Sequence, residues 1–158
     1  MVAGAIAMGK FKIIGLEGAS GRMVVEAQFN PKEIHIEKSI PWQHQTTMGP
    51  NDLAYAGSSG RTMSCELLFD GFPTSTSIQG EIDKLQTLSD VDAALKRPPK
   101  VKVVWGTEDE SGLMPAFEAV IEVLVVKYLM FDPEGKPVRA MVELKFREAR
   151  NIKVSKTG

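Results

Sequence analysis

The sequence predicts a mainly β fold: an antiparallel barrel or sandwich with one flanking α-helix. Three observations carry that expectation. Alternation of apolar and polar residues with period two dominates the chain. The alternating runs are joined by short stretches rich in Gly, Pro, Asn and Asp, which suit hairpins and leave little room for parallel crossovers. One stretch alone, Ser77 to Leu88, keeps a helical period.

In chain order, Lys10 to Leu16 reads as a strand, Glu17 to Gly21 as a small-residue turn, and Arg22 to Phe29 as the returning strand of a hairpin. Asn30-Pro31 interrupts the ladder because proline has no amide donor. Glu33 to Lys38 resumes alternation, with Ile34 and Ile36 on one side and His35 on the other. Ser39 to Gly60 has no clear period, yet it holds Ile40, Trp42, Met48, Leu53 and Tyr55. Large apolar side chains in so long an irregular segment favour packing, and those five are the candidate subunit-interface residues.

Arg61 to Asp70 puts Met63, Cys65, Leu67 and Phe69 on one face. In the helix, Ile78, Ile82, Leu85 and Leu88 form one stripe, Ser77 or Thr76 is placed to cap it, and Gly80 weakens it. A helical turn is expected over Val91 to Leu95, ended by Pro98-Pro99. Lys100 to Trp105 and Ala116 to Phe131 are further strands. In the second, Phe117, Ala119, Ile121, Val123 and Val125 share a face on which Lys127 also lands, so a bulge or register change is expected near Lys127. Asp132 to Gly135 is a turn with glycine at a left-handed position. Pro137 to Arg147 returns with the cleanest alternation in the chain. The expectation is about seven strands and one helix.

A chain of 158 residues is most simply one domain, read here as an N-terminal arm (1–9), a β domain (10–150) and a C-terminal tail (151–158). The arm is apolar but short, and Lys10 follows it. That is neither the order of a signal peptide nor the length of a membrane span, so a cytoplasmic protein is expected. A net charge of −1, with few aromatics, argues against a nucleic-acid partner. The single cysteine, Cys65, excludes an internal disulfide and a multi-cysteine metal site, and it falls on an apolar strand face. His35 and His44 have no ligand at metal spacing. Gly15, Gly18 and Gly21 are followed by Arg22-Met23 and a strand, unlike a phosphate loop. Glu108 to Glu110 reads as a solvated acidic loop or a cation site. Neither an enzyme nor a cofactor is indicated.

A set of segments in a fixed order carries a resemblance. They are FNPKE (29–33) with Trp42, RTMSCELLFD (61–70), KRPPKVKVVWG (96–106), FDPEGKPVRA (131–140) and Phe146. Over residues 10–148 this resembles the tube-domain family of contractile injection systems, the phage-tail-like particles. The resemblance implies a phage tail-tube-like β fold and hexameric rings. It is closest to the tube-initiator type, a baseplate subunit between the spike hub and the inner tube. The main inner tube protein and a tube-terminating protein of the same particle are the alternatives. A small-ligand-binding β-barrel, or an enzyme using Cys65 or His44, is the reading from another class. Many relatives carry a LysM domain, which is expected to be absent here because the last strand ends near Arg147. Asp70-Gly71 departs from the family's Asp-Thr. The resemblance implies as partners further copies of this chain, the hub, the inner tube and other baseplate proteins. It also implies a polar channel wall, for which Arg139, Glu143, Lys145 and Arg147 on the polar face of the last strand are candidates. The other reading of those four is an ordinary solvated face.

Overall fold

The computed structural model describes residues 9–44, 49, 52–57, 60–74, 76–106, 117–149 and 152. Among them, nine strands and one α-helix follow in the order β1 (Lys10–Gly15), β2 (Val24–Glu26), β3 (Ile34–Glu37), β4 (Trp42–His44), β5 (Leu53–Tyr55), β6 (Thr62–Asp70), α1 (Gln79–Ser89), β7 (Val101–Gly106), β8 (Phe117–Phe131) and β9 (Pro137–Glu148). Seven strands make one antiparallel sheet, ordered β2-β1-β7-β8-β9-β6-β3. These are the seven strands legible in the sequence.

Binary patterning makes the core. Met63, Cys65, Leu67 and Phe69 of β6 face inward beside Ala140, Val142, Leu144 and Phe146 of β9. Phe11 and Ile13 of β1, Val25 of β2, and Val101 and Val103 of β7 join the same buried cluster. The two halves of the sheet therefore curl over one core, and α1 fills it with Ile82, Leu85 and Leu88. The sheet does not close, since β2 and β3 remain its two edges. The fold is sandwich-like, and the barrel alternative is not realised.

A side-chain device holds the curl. The connection from β2 to β3 runs between opposite edges of the sheet. Its Gln28 amide exchanges two hydrogen bonds with the Asp70 backbone at the end of β6. Two residues on, the Asn30 amide accepts from Phe11 N–H and donates to the Gly9 carbonyl. Gln and Asn amides carry a donor and an acceptor side by side, so each replaces one rung of a strand ladder.

Several local expectations are revised or sharpened. The 22–29 run contributes only three strand residues, Val24–Glu26. β8 shifts register between Tyr128 and Met130, close to Lys127 as expected, and also earlier, at Glu122, where Ile121 opposes Phe146 and Val123 opposes Lys145. One extra residue reverses the faces beyond it. Leu124 and Val126 therefore pack on the core, while Val123 and Val125 turn outward and Lys127 is spared burial. The irregular 39–60 segment contains a two-stranded hairpin, β4–β5. The helical turn expected over Val91 to Leu95 is a single turn, with the Lys96 N–H on the Asp92 carbonyl at 2.7 Å, closed by a bridge between Asp92 and Arg97. Ile36 is exposed although it alternates with Ile34, because β3 is an edge strand.

Other local details follow the sequence. Ser77 Oγ accepts the Gln79 N–H at 3.2 Å. Gly135 is left-handed at φ 85°. Gly71 is buried at a turn where a Cβ would strike the Thr76 carbonyl, which accounts for the glycine after Asp70.

Candidate functional site

Arg139, Glu143, Lys145 and Arg147 project from the outer face of β9, opposite the buried Val138, Ala140, Val142, Leu144 and Phe146. The register sets Asp70, Glu66, Ser64 and Thr62 of β6 opposite Arg139, Glu143, Lys145 and Arg147 in that order. Beyond the bulge, β8 adds Val123, Val125 and Lys127 to the same face. Ion pairs tie it together: Arg139 to Asp70 at 3.1 Å, Lys127 to Glu143 at 2.7 Å and Arg147 to Glu122 at 3.1 Å. The Arg147 hydrogen bond holds the Glu122 carboxyl below its ordinary range, and Glu143 holds the Lys127 ammonium above its own. Five carboxylates (Glu66, Asp70, Glu118, Glu122, Glu143) and four cations (Lys127, Arg139, Lys145, Arg147) share the outer face of these three strands, so this surface is polar but close to neutral.

An open hollow lies over this face, rimmed by Phe29, Glu33 and His35 and floored by Ser64, Glu66 and Lys145. It is outside the sheet, and the interior is filled by the apolar cluster. That arrangement does not support a ligand-binding barrel.

The second surface is the β4–β5 hairpin. Trp42 pairs with Tyr55 and their rings lie 5.6 Å apart, tilted by 59°. Both rings are more than half exposed, as is Leu53, and Ile40 is nearly so. Met48 lies outside the described residues. Four of the five candidate interface residues are thus on one short, uncharged strand pair or beside it.

A third surface was not anticipated. β8 is 15 residues long and β7 only six, and they pair only from Phe117 to Ala119. Pro98 and Pro99 stand where β7 would have to extend, and neither has an amide to donate. On the β7 side, Val120 to Phe131 therefore has no strand partner among the described residues. Tyr128, Leu129 and Phe131 are exposed there, and the rings of Tyr128 and Phe131 are 6.2 Å apart. A register shift between Tyr128 and Met130 leaves Leu129 unpaired, 55% exposed. The mismatch in strand length, set by the proline pair, was the available signal.

The residues weighed for chemistry are not brought together. Cys65 is buried on β6, and burial, with the nearby Glu66 charge, pushes its thiol up to about 12, far from a reactive thiolate. His44 is exposed on β4. His35 stands 3.8 Å from the Glu37 carboxylate on the β3 edge. No cluster of three or more His, Cys, Asp or Glu occurs among the described residues. Glu108 to Glu110 lies outside them. The glycine-rich 15–21 stretch forms a 3-10 turn leading into β2. Asp92 accepts the Ala19 N–H of that turn at 2.8 Å, and also the Ala94 and Leu95 N–H groups. Those backbone donors, Ala19 foremost, lower the Asp92 pKa.

The model of the contractile injection system tube protein family matches residues 8–156. The chain belongs to that family and is a structural tube component of a contractile injection system. No curated protein matches it. Among the described residues, no helix is long and apolar enough to cross a membrane.

Proposed function

We propose that this chain is a ring subunit of the injection particle and acts as its tube initiator, the adaptor that joins the spike hub to the inner tube within the baseplate. The observation that carries this reading is the family match over nearly the whole chain. The unpartnered length of β8 supports it, because a ring subunit can complete its sheet with a neighbour's strand. Six copies would form the ring. Its faces would meet the hub, the first ring of the inner tube and the surrounding baseplate proteins, in a particle assembled in the cytoplasm. The outer face of β9, with Arg139, Glu143, Lys145 and Arg147, would line the channel. A wall most of whose charges are already paired offers passing cargo little to bind.

The test is a strain that lacks the chain. Particles from it should show no assembled tube, and normal tubes there would refute the initiator role. A second reading, as main inner tube or tube-terminating protein, is favoured by the family's description as a tube protein. Copy number separates the two: one ring per particle for an initiator, many for a main tube protein.

A further inference from the structure

The hairpin and the far end of β8 are both apolar, both exposed and distinct in the fold; α1 packs along β8, with Tyr128 Oη donating to Gln79 Oε1 at 3.4 Å, and leaves Leu129 and Phe131 more than half exposed. Between Lys38 and Arg61 the only charged residue is Asp52. The exposed end of β8, Tyr128 to Phe131, has no charge. The charged residues that flank this end are engaged elsewhere: Lys127 is drawn onto Glu143 of β9, and the Asp132 carboxylate accepts the Glu134 and Lys136 N–H groups of its own turn. The other strand edges of the sheet are less suited to it. β2 is bounded by Arg22 and Glu26, and β3 by Glu33, Glu37 and Lys38.

We infer that the β4–β5 hairpin of one copy docks on the open side of β8 of the next, with Trp42, Leu53 and Tyr55 covering Tyr128, Leu129 and Phe131. This rests on the ring-subunit reading and specifies the contact within it. The physical ground is that an uncharged aromatic surface loses no ion hydration when it is buried on another uncharged one. A contact between two different patches is heterologous, so repetition makes a closed ring or an open helix and never a symmetric dimer. Leu129, pushed out by the register shift, is the natural centre of the contact.

Charge reversal at two exposed positions tests this in the full chain. Leu53→Lys and Leu129→Glu should each abolish oligomers of the purified protein by analytical ultracentrifugation, with unchanged circular dichroism and thermal unfolding. An equimolar mixture of the two should recover the large assembly, because the L53K hairpin meets the L129E strand at one contact and unaltered Leu53 meets unaltered Leu129 at the next. The double variant, L53K/L129E, should recover the large assembly. Single variants that still assemble would overturn the pairing. So would singles that block assembly without recovery in the double variant, and in both cases the ring reading survives if the wild type still forms rings. A wild-type chain that stays monomeric at every concentration, and in particles, would overturn both.

Discussion

Gln28 and Asp70 grip each other by two hydrogen bonds: Gln28 Nε2 donates to the Asp70 carbonyl at 2.7 Å, and Asp70 N–H donates to Gln28 Oε1 at 2.7 Å. The pair is 42 residues apart in sequence and joins the exit of β2 to the end of β6. Each bond is worth about 1 kcal/mol net, and the site is solvent-exposed, so Gln28→Ala should cost about 1–2 kcal/mol. Gln28→Glu should cost at least as much, because its carboxylate loses the donor and faces the Asp70 carbonyl. Urea unfolding monitored by tryptophan fluorescence checks both.

The bulge at Glu122 predicts an unusual deletion phenotype. Without Glu122, Ile121 still faces Phe146 and Val123 still faces Lys145, so every downstream side chain keeps its face. The strand straightens and loses only the Arg147 ion pair. Deleting Val125 instead would swing Val126 outward and Lys127 onto the core. The first variant should remain folded, and the second should unfold or aggregate. Thermal melts and soluble yield distinguish them.

Gly80 lies in the first turn of α1 with an ordinary helical backbone, and nothing lies within 4 Å of where its Cβ would stand. Gly80→Ala should therefore stabilise the protein by about 0.5–1 kcal/mol. A rise in the denaturation midpoint with unchanged slope would be the signature.

Asp92 supplies a pH-dependent element. Backbone donors hold its carboxyl below the ordinary 3.8, so the folded state favours the ionised form. Its contribution is fully present above pH 3.8 and is lost as pH falls through the lower folded value. Asp92→Ala should thus lower the melting midpoint at neutral pH, and the gap to wild type should narrow below pH 3.8. A gap that stays constant down to pH 2 would contradict the assignment.

What the sequence made legible depended on how local the signal was. β9 could be read because Val138 to Phe146 alternates with Met141 as its one exception, and α1 because Ile78, Ile82, Leu85 and Leu88 keep one stripe. Lys127 revealed that β8 must break its alternation, but alternation cannot say where, since a bulge at Glu122 and one nearer Lys127 both rescue the lysine. The hairpin escaped because Trp42–His44 and Leu53–Tyr55 are three residues each, too short to display a period. Its apolar residues were nonetheless visible as candidates. The amide grips of Gln28 and Asn30 were out of reach, because nothing local marks a glutamine whose partner is 42 residues away. The polar face of β9 was predicted correctly as a face; its charge balance needed the register with β6 and β8.

The proline pair at 98–99 also affects the chain's life before assembly. By ending β7 early it leaves the isolated molecule with a 12-residue length of strand, Val120 to Phe131, that no described strand covers on that side, a template for an extended peptide wherever α1 does not shield it. Off-target pairing of that kind is at least second order, so it rises steeply with the amount of free chain. The quantity to limit is therefore the standing pool of unassembled monomer, and matched synthesis with its partners is a folding requirement as much as a matter of stoichiometry.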